Sequence, residues 1–115
     1  MKPSPVRRDR KFYTSLALHQ AVQRHLSEDP ERVVQLGIEG ANRVLPHTRG
    51  GARDLVSEWL RLLRSRDVDG INAVLAGDDE YAVEMRNLGV FLGVLSEAER
   101  RTVLDEVYSR SEYAR

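Results

Sequence analysis

Apolar residues recur along this chain at the spacing of α-helices. Leu18, Val22 and Leu26 follow one another every four residues, and this repeat places them on one face of a helix. Patterns of the same kind start again near residues 30, 52, 68, 79 and 97. No segment alternates apolar and polar residues as a half-buried strand does. The pattern predicts an all-α fold, a single compact bundle of five or six short helices.

One apolar run, over residues 90–95 (VFLGVL), resembles a strand. A lone strand in the core would have no partner for its main-chain hydrogen bonds. We therefore expect this run to be a connector between two helices, packed into the core. Trp59 is the only tryptophan, and we expect it at the centre of that core because it offers the largest apolar surface of any residue type.

Short polar side chains mark where the helices begin. Asp29 precedes Pro30, and proline fits the first position of a helix, where an amide hydrogen would have no partner. Ser96 and Glu99 form a capping box, in which each side chain accepts a hydrogen bond from the main-chain amide of the other. The other predicted caps are Thr14 or Ser15 for the first helix, Asp67 for the fourth, and Asp78 or Asp79 for the fifth.

Two predictions concern the ends and the buried faces of the last helices. Gly77 follows the fourth apolar pattern, and it suits the left-handed conformation that ends many helices. The last helix is expected to bury Val103, Leu104, Val107 and Tyr108.

Composition narrows the class of protein. The chain has 115 residues, 18 basic and 18 acidic side chains and no cysteine. The absence of cysteine excludes a disulfide framework and thiolate chemistry. The zero net charge removes the simplest argument for nucleic-acid binding. No apolar run has the roughly 18 residues of a membrane-spanning helix or the pattern of a secretory signal, so we expect a cytoplasmic protein.

The first eleven residues are more basic than the rest of the chain. They contain five basic residues and one acid, and two prolines oppose a helix there. We expect residues 1–11 to be a disordered basic arm, residues 12–110 a single helical domain and residues 111–115 a frayed end. The arm is either a solvated tail or a contact for an acidic partner or for nucleic acid. For nucleic acid the candidate contacts are Arg7, Arg8, Arg10, Lys11, Arg43, Arg49 and Arg53.

No residue pattern indicates catalysis. His19 and His25 lie on different sides of one predicted helix, so they do not share a metal ion. His47 lies beside Arg43 and Arg49 in a loop, where the three are either an anion site or plain polar surface. Gly37 and Gly40 suit the close approach of another helix. We expect no enzymatic activity, no metal and no cofactor.

Several short motifs together resemble a family of small bacterial helical proteins. They are SLALH at 15–19, Leu26 with Asp29-Pro30, Trp59 with Leu62-Leu63, Met85-Arg86-Asn87, and Phe91-x-Gly93-Val94-Leu95-Ser96-x-x-Glu99-Arg100. In this family, members of toxin–antitoxin-like loci carry such a region behind a helix-turn-helix of the Xre kind, beside a nucleotidyltransferase-like toxin. The resemblance covers residues 13–108 and implies the partner-binding part of an antitoxin-like protein.

The chain departs from the family pattern at two places. Arg86-Asn87 stands where the family has Arg-Gln, and Gly89-Val90-Phe91-Leu92-Gly93 stands where it has Ser-Pro-Phe-Ala-Gly. No helix-turn-helix precedes the helical region, so the resemblance implies no DNA-reading module here.

We predict that the chain masks or regulates a protein partner of the toxin-like kind through Arg86, Asn87 and Phe91. Arginine and aromatic side chains concentrate binding energy at interfaces. The alternative reading makes Phe91 a core residue and pairs Arg86 with Glu99 inside the molecule. A nucleic-acid-binding regulator is the second functional hypothesis, and the sequence does not indicate an oligomeric state.

Overall fold

The computed structural model describes residues 7–110, which form a compact all-helical bundle. The α-helices are α1 (Arg10–Glu28), α2 (Pro30–Val44), α3 (Gly50–Arg64), α4 (Val68–Ala76), α5 (Glu80–Asn87) and α6 (Glu97–Ser109), with a 3₁₀ turn at Leu45–His47 between α2 and α3. No strand occurs in this part of the chain. The predicted all-α bundle of five to six helices is confirmed. The disorder expected for residues 1–6 and 111–115 lies outside the described residues.

All the α-helices except α3 start at side-chain caps, most of them where the sequence indicates. Asp29, Asp67 and Asp79 accept hydrogen bonds from main-chain amides in the first turns of α2, α4 and α5. The start of α1 differs from the prediction. Asp9 caps it by accepting from the amide of Phe12 at 3.0 Å, so Thr14 and Ser15 lie inside the helix.

The boundary predicted between the arm and the helical domain is therefore wrong. α1 begins at Arg10 instead of Phe12. Arg8 forms an ion pair with Asp78 at 2.8 Å, and its guanidinium lies 5.3 Å from the centre of the Phe12 ring. Residues 8–11 are thus part of the folded domain.

α1 holds the bundle together, because it packs against α2, α4, α5 and α6. α2 lies along α3, and α4 lies against α5. Trp59 of α3 is fully buried among these helices. Its indole Nε1 donates to the main-chain carbonyl of Met85 at 2.8 Å. The prediction that Trp59 lies in the core is confirmed.

The segment 88–96 between α5 and α6 is a connector that packs into the core, as expected. Val90, Phe91 and Val94 are buried. A Cβ atom added at Gly37 would lie 2.8 Å from Phe91 Cε1, and one added at Gly40 would overlap the carbonyl oxygen of Val90. At Gly40 the element that approaches closely is this connector and not another helix. At Gly37 an added Cβ would also lie 3.0 Å from Leu63 of α3, so the predicted close approach of another helix is confirmed there.

Three local predictions are wrong. Gly77 follows α4 with a φ of −66°, so it is not left-handed. Its small size matters instead, because a Cβ atom there would lie 2.7 Å from Ala82 Cβ. Tyr108 of α6, which was expected to be buried, is 52% exposed. Ser96 does cap α6, accepting from the amide of Glu99 at 3.1 Å. The Glu99 carboxylate, which the predicted capping box places on the amide of Ser96, instead contacts His25 Nε2 at 2.8 and 3.0 Å. It therefore connects α6 to α1.

No helix within residues 7–110 is long and apolar enough to cross a membrane.

Candidate functional site

The predicted partner-binding residues belong to α5 and to the connector that follows it. α5 is short, and Asp79 fixes its start by accepting from the amide of Ala82 at 2.8 Å. Its buried face carries Ala82, Met85 and Arg86, so α5 presents its other residues outward. This orientation decides which predicted residues reach the surface.

Arg86 lies inside the molecule, with only 3% of its surface exposed. Its Nη1 donates to the carbonyl oxygens of Val74 at 2.9 Å and Gly77 at 2.6 Å. These carbonyls belong to the end of α4, where helical carbonyl groups have no partner within the helix. Burial lowers the pKa of Arg86, while the charges of Asp79 and Asp78 raise it. The prediction that Arg86 is an exposed binding residue is therefore corrected: it closes the end of α4.

Phe91 is also a core residue, 2% exposed. Its ring packs edge-to-face against Trp59, with ring centres 5.0 Å apart, and lies 6.4 Å from the ring of His19. This correction favours one half of the alternative reading, in which Phe91 belongs to the core. The other half is wrong, because Glu99 pairs with His25 and not with Arg86.

Asn87 is the member of the predicted trio that is exposed. It stands one turn after Glu84 on the outer face of α5, and both residues line two depressions. One is a cleft of about 290 Å³ between the first turns of α1 and α5. The other is a groove of about 550 Å³ between α3 and α5. We call Glu84 and Asn87 the α5 ridge.

The arginines proposed for nucleic-acid contact fall into two groups. The first group lies around the start of α1. Arg7 pairs with Asp9 at 3.5 Å, and Arg8 pairs with Asp78, so these two arginines interact within the domain. Arg10 lies 5.3 Å from the ring centre of Tyr108, while Lys11 is exposed.

The second group lies at the end of α2 and the start of α3. Arg43, Arg49 and Arg53 are all exposed, and none has an ion pair with another described residue. Arg49 precedes α3 without a side-chain cap on that helix. His47 is exposed beside them. This end of the bundle keeps three arginine charges available to solvent.

The histidines do not form a metal site. His19 is buried and donates from Nδ1 to the carbonyl of Ser15 at 2.7 Å. Burial lowers its pKa to about 4; the Ser15 hydrogen bond opposes this shift and the charge of Arg86 adds to it. Across residues 7–110, no group of three or more His, Asp or Glu side chains is placed to hold a metal ion.

The sequence did not predict a site role for Glu80 and Glu84, which line the cleft between α1 and α5 beside the predicted residue Asn87. Glu80, Glu84 and Asn87 have the spacing of one helical face, and this spacing is the signal that indicates the two acids. Lys11 faces the same cleft from α1, but only the packing of α1 against α5 brings it there.

No family model, curated protein or solved structure matches the chain. The resemblance to antitoxin-like proteins stays a prediction.

Proposed function

We propose that this chain is an antitoxin-like protein-binding module that masks or regulates a toxin-like partner protein. The observation that carries the proposal is the α5 ridge, with a depression on either side. Glu84 and Asn87 are exposed, and their side chains make no hydrogen bond or ion pair with another described residue. Their polar groups are thus available to a partner.

The groove between α3 and α5 adds apolar surface beside the ridge. Ala52 and Leu55 contribute to it from α3, and Leu88 contributes from the end of α5. Leu55 and Leu88 are half-buried and rest on the core cluster, so contact with a partner would complete their burial. Interfaces of this kind combine an apolar centre with a polar rim, and the groove and the ridge supply these two parts.

The proposed function is the one predicted from the sequence, but the residues proposed to bind the partner differ from the predicted ones. Asn87 stays a binding residue, and Glu84, Leu55 and Leu88 replace Arg86 and Phe91. Arg86 and Phe91 then act on binding only through the fold, because they hold α5 and the connector in place.

A pair of variants tests the proposal. The partner assayed is a purified nucleotidyltransferase-like toxin of the kind that the resemblance implies. Asn87→Arg places a larger charged group on the ridge, and we expect it to weaken the complex at least tenfold, about 1.4 kcal/mol. Asn42→Arg is the control, since Asn42 is also exposed, on α2, and undergoes the same chemical change. Equal affinity of both variants, or no complex with the unmodified chain, contradicts the proposal.

Nucleic-acid binding is the second candidate function, supported by the unpaired charges of Arg43, Arg49 and Arg53. The uncapped start of α3 leaves main-chain amides beside them, and amides at a helix start favour phosphate. Replacing the three arginines by glutamine should abolish binding to duplex DNA, whereas Arg24→Gln on α1 should leave it unchanged. Binding that weakens less than about tenfold over a fourfold rise in salt contradicts this candidate.

A further inference from the structure

The cleft between the first turns of α1 and α5 has the size of a small-molecule site. Its volume is about 290 Å³, at the lower end of the range of ligand pockets. Lys11 and Ser15 line it from α1, while Glu80 and Glu84 line it from α5. Val83 lies between the two acids and adds apolar surface.

Arg86 forms part of the lining, and its guanidinium is only partly satisfied. Its hydrogen bonds all leave from Nη1 and end on carbonyl oxygens. Its Nε is buried and has no hydrogen-bond partner among the described residues. A buried guanidinium normally pairs with a carboxylate or phosphate across its fork of donors. The Nε of Arg86 therefore has no anion paired with it, although a buried guanidinium normally has one.

The remaining charges of the cleft carry both signs. Arg7 and Asp9 pair with each other at 3.5 Å. Lys11, Glu80 and Glu84 have no ion pair with another described residue. A simple anion would gain from Arg86 and Lys11 but would meet the two free carboxylates of α5. A ligand that carries an anionic and a cationic group next to each other pairs with the basic side chains through the first group and with the two glutamates through the second.

We propose that this cleft binds a free α-amino acid. The carboxylate of the ligand pairs with Arg86 and Lys11, and its ammonium group pairs with Glu80 and Glu84. Val83 leaves the ligand's side chain an apolar surface. The inference goes beyond the proposed protein-binding function and does not rest on it.

A matched set of ligands tests the charge requirement. The twenty standard amino acids are first screened against the full chain by thermal shift and calorimetry. The amino acid that binds most tightly is then compared with the acid that lacks its amine and with the amine that lacks its carboxylate; for L-leucine these analogues are 4-methylpentanoate and 3-methylbutan-1-amine. We expect at least one amino acid to bind, and we expect each of its two analogues to bind at least tenfold more weakly than the amino acid itself.

Variants at the cleft test the location. Lys11→Met and Glu84→Gln should each weaken the bound amino acid about tenfold, because each removes one charged contact. Arg101→Met and Glu39→Gln are the controls, since both residues are exposed elsewhere, and they should leave affinity unchanged. Arg86 is left intact because of its role at the end of α4. The proposal is overturned if none of the twenty amino acids binds, if either analogue binds as tightly as its parent amino acid, or if the cleft variants bind like the controls.

Discussion

Arg86 and Gly77 are joined by a hydrogen bond of 2.6 Å from Nη1 to the main-chain carbonyl oxygen. The same nitrogen reaches the carbonyl of Val74 at 2.9 Å. A cation at the carboxyl end of a helix satisfies carbonyl groups that have no helical partner and complements the helix dipole. Arg86 thus links α4 to α5 and sets the position of the α5 ridge.

Removing this side chain should destabilise the whole domain. Arg86→Ala leaves buried carbonyls without donors, and we expect a loss of about 3 kcal/mol in the free energy of unfolding. Chemical denaturation followed by circular dichroism measures it. Arg100→Ala is the control, because Arg100 is exposed. An unchanged denaturation midpoint for Arg86→Ala would show that the α4 carbonyls need no such partner.

The glycines of α2 and α3 should respond to alanine with opposite signs. In Gly40→Ala the new Cβ meets the carbonyl of Val90, so the connector must move, and we expect a loss of more than about 2 kcal/mol. Gly51 is exposed in the first turn of α3, with nothing within 4 Å of an added Cβ. Gly51→Ala should therefore raise stability by about 0.5–1 kcal/mol. Thermal melts of both variants check the signs, and equal melting temperatures would refute the packing described for the connector.

Stability should fall in mild acid because His19 is buried without its proton. Its pKa is about 4 in the folded protein, below the ordinary histidine value of 6.5, so the unfolded chain binds a proton between these values while the folded chain does not. The free energy of unfolding should therefore decrease as the pH falls from 6.5 to 4, by about 3 kcal/mol in total. Denaturation curves at several pH values measure the loss.

The control for this pH dependence is His19→Gln, which removes the titrating group. The variant should lose less stability than the unmodified protein between pH 6.5 and pH 4. A histidine resonance that titrates near 6.5 in the folded protein and belongs to His19 would contradict the buried neutral ring.

The start of α6 should depend on one hydroxyl group. Ser96→Ala removes the acceptor for the amide of Glu99 and should cost about 1 kcal/mol, and Ser96→Gly should cost less. Ser109 is exposed at the other end of α6, so Ser109→Ala serves as the control. A loss equal to the control in a urea titration would mean that the cap contributes nothing.

Local features of the fold could be predicted from the sequence, and long-range partners could not. The caps Asp29, Asp67 and Asp79 act within three residues of their own position, so spacing alone reveals them. Glu99 shows the limit. Its spacing from Ser96 indicates a capping box, but the fold brings His25 to its carboxylate, and α1 and α6 are far apart in sequence.

The prediction that Arg86 and Phe91 bind a partner was wrong for the same physical reason, because the contacts of both side chains are set by the fold and not by their neighbours in sequence. An arginine is normally exposed, and nothing near Arg86 in sequence shows that the carbonyls at the end of α4 will face it. Phe91 lies between glycines, a pattern that suits an exposed turn as well as a buried connector. The exposure of Asn87 agrees with the sequence, since it lies on the polar side of α5.

A nuclear magnetic resonance map of the complex tests the central claim, that a protein partner covers the α5 ridge. The chain is labelled with ²H and ¹⁵N, the toxin-like partner is left unlabelled so that its protons can be saturated, and the saturation transferred across the interface is read at each amide of the chain. The account predicts that the strongest transfer occurs at Glu84, Asn87 and Leu88, with further transfer at Ala52 and Leu55. Transfer confined to residues 43–49, or spread over α6 with none at α5, would contradict it.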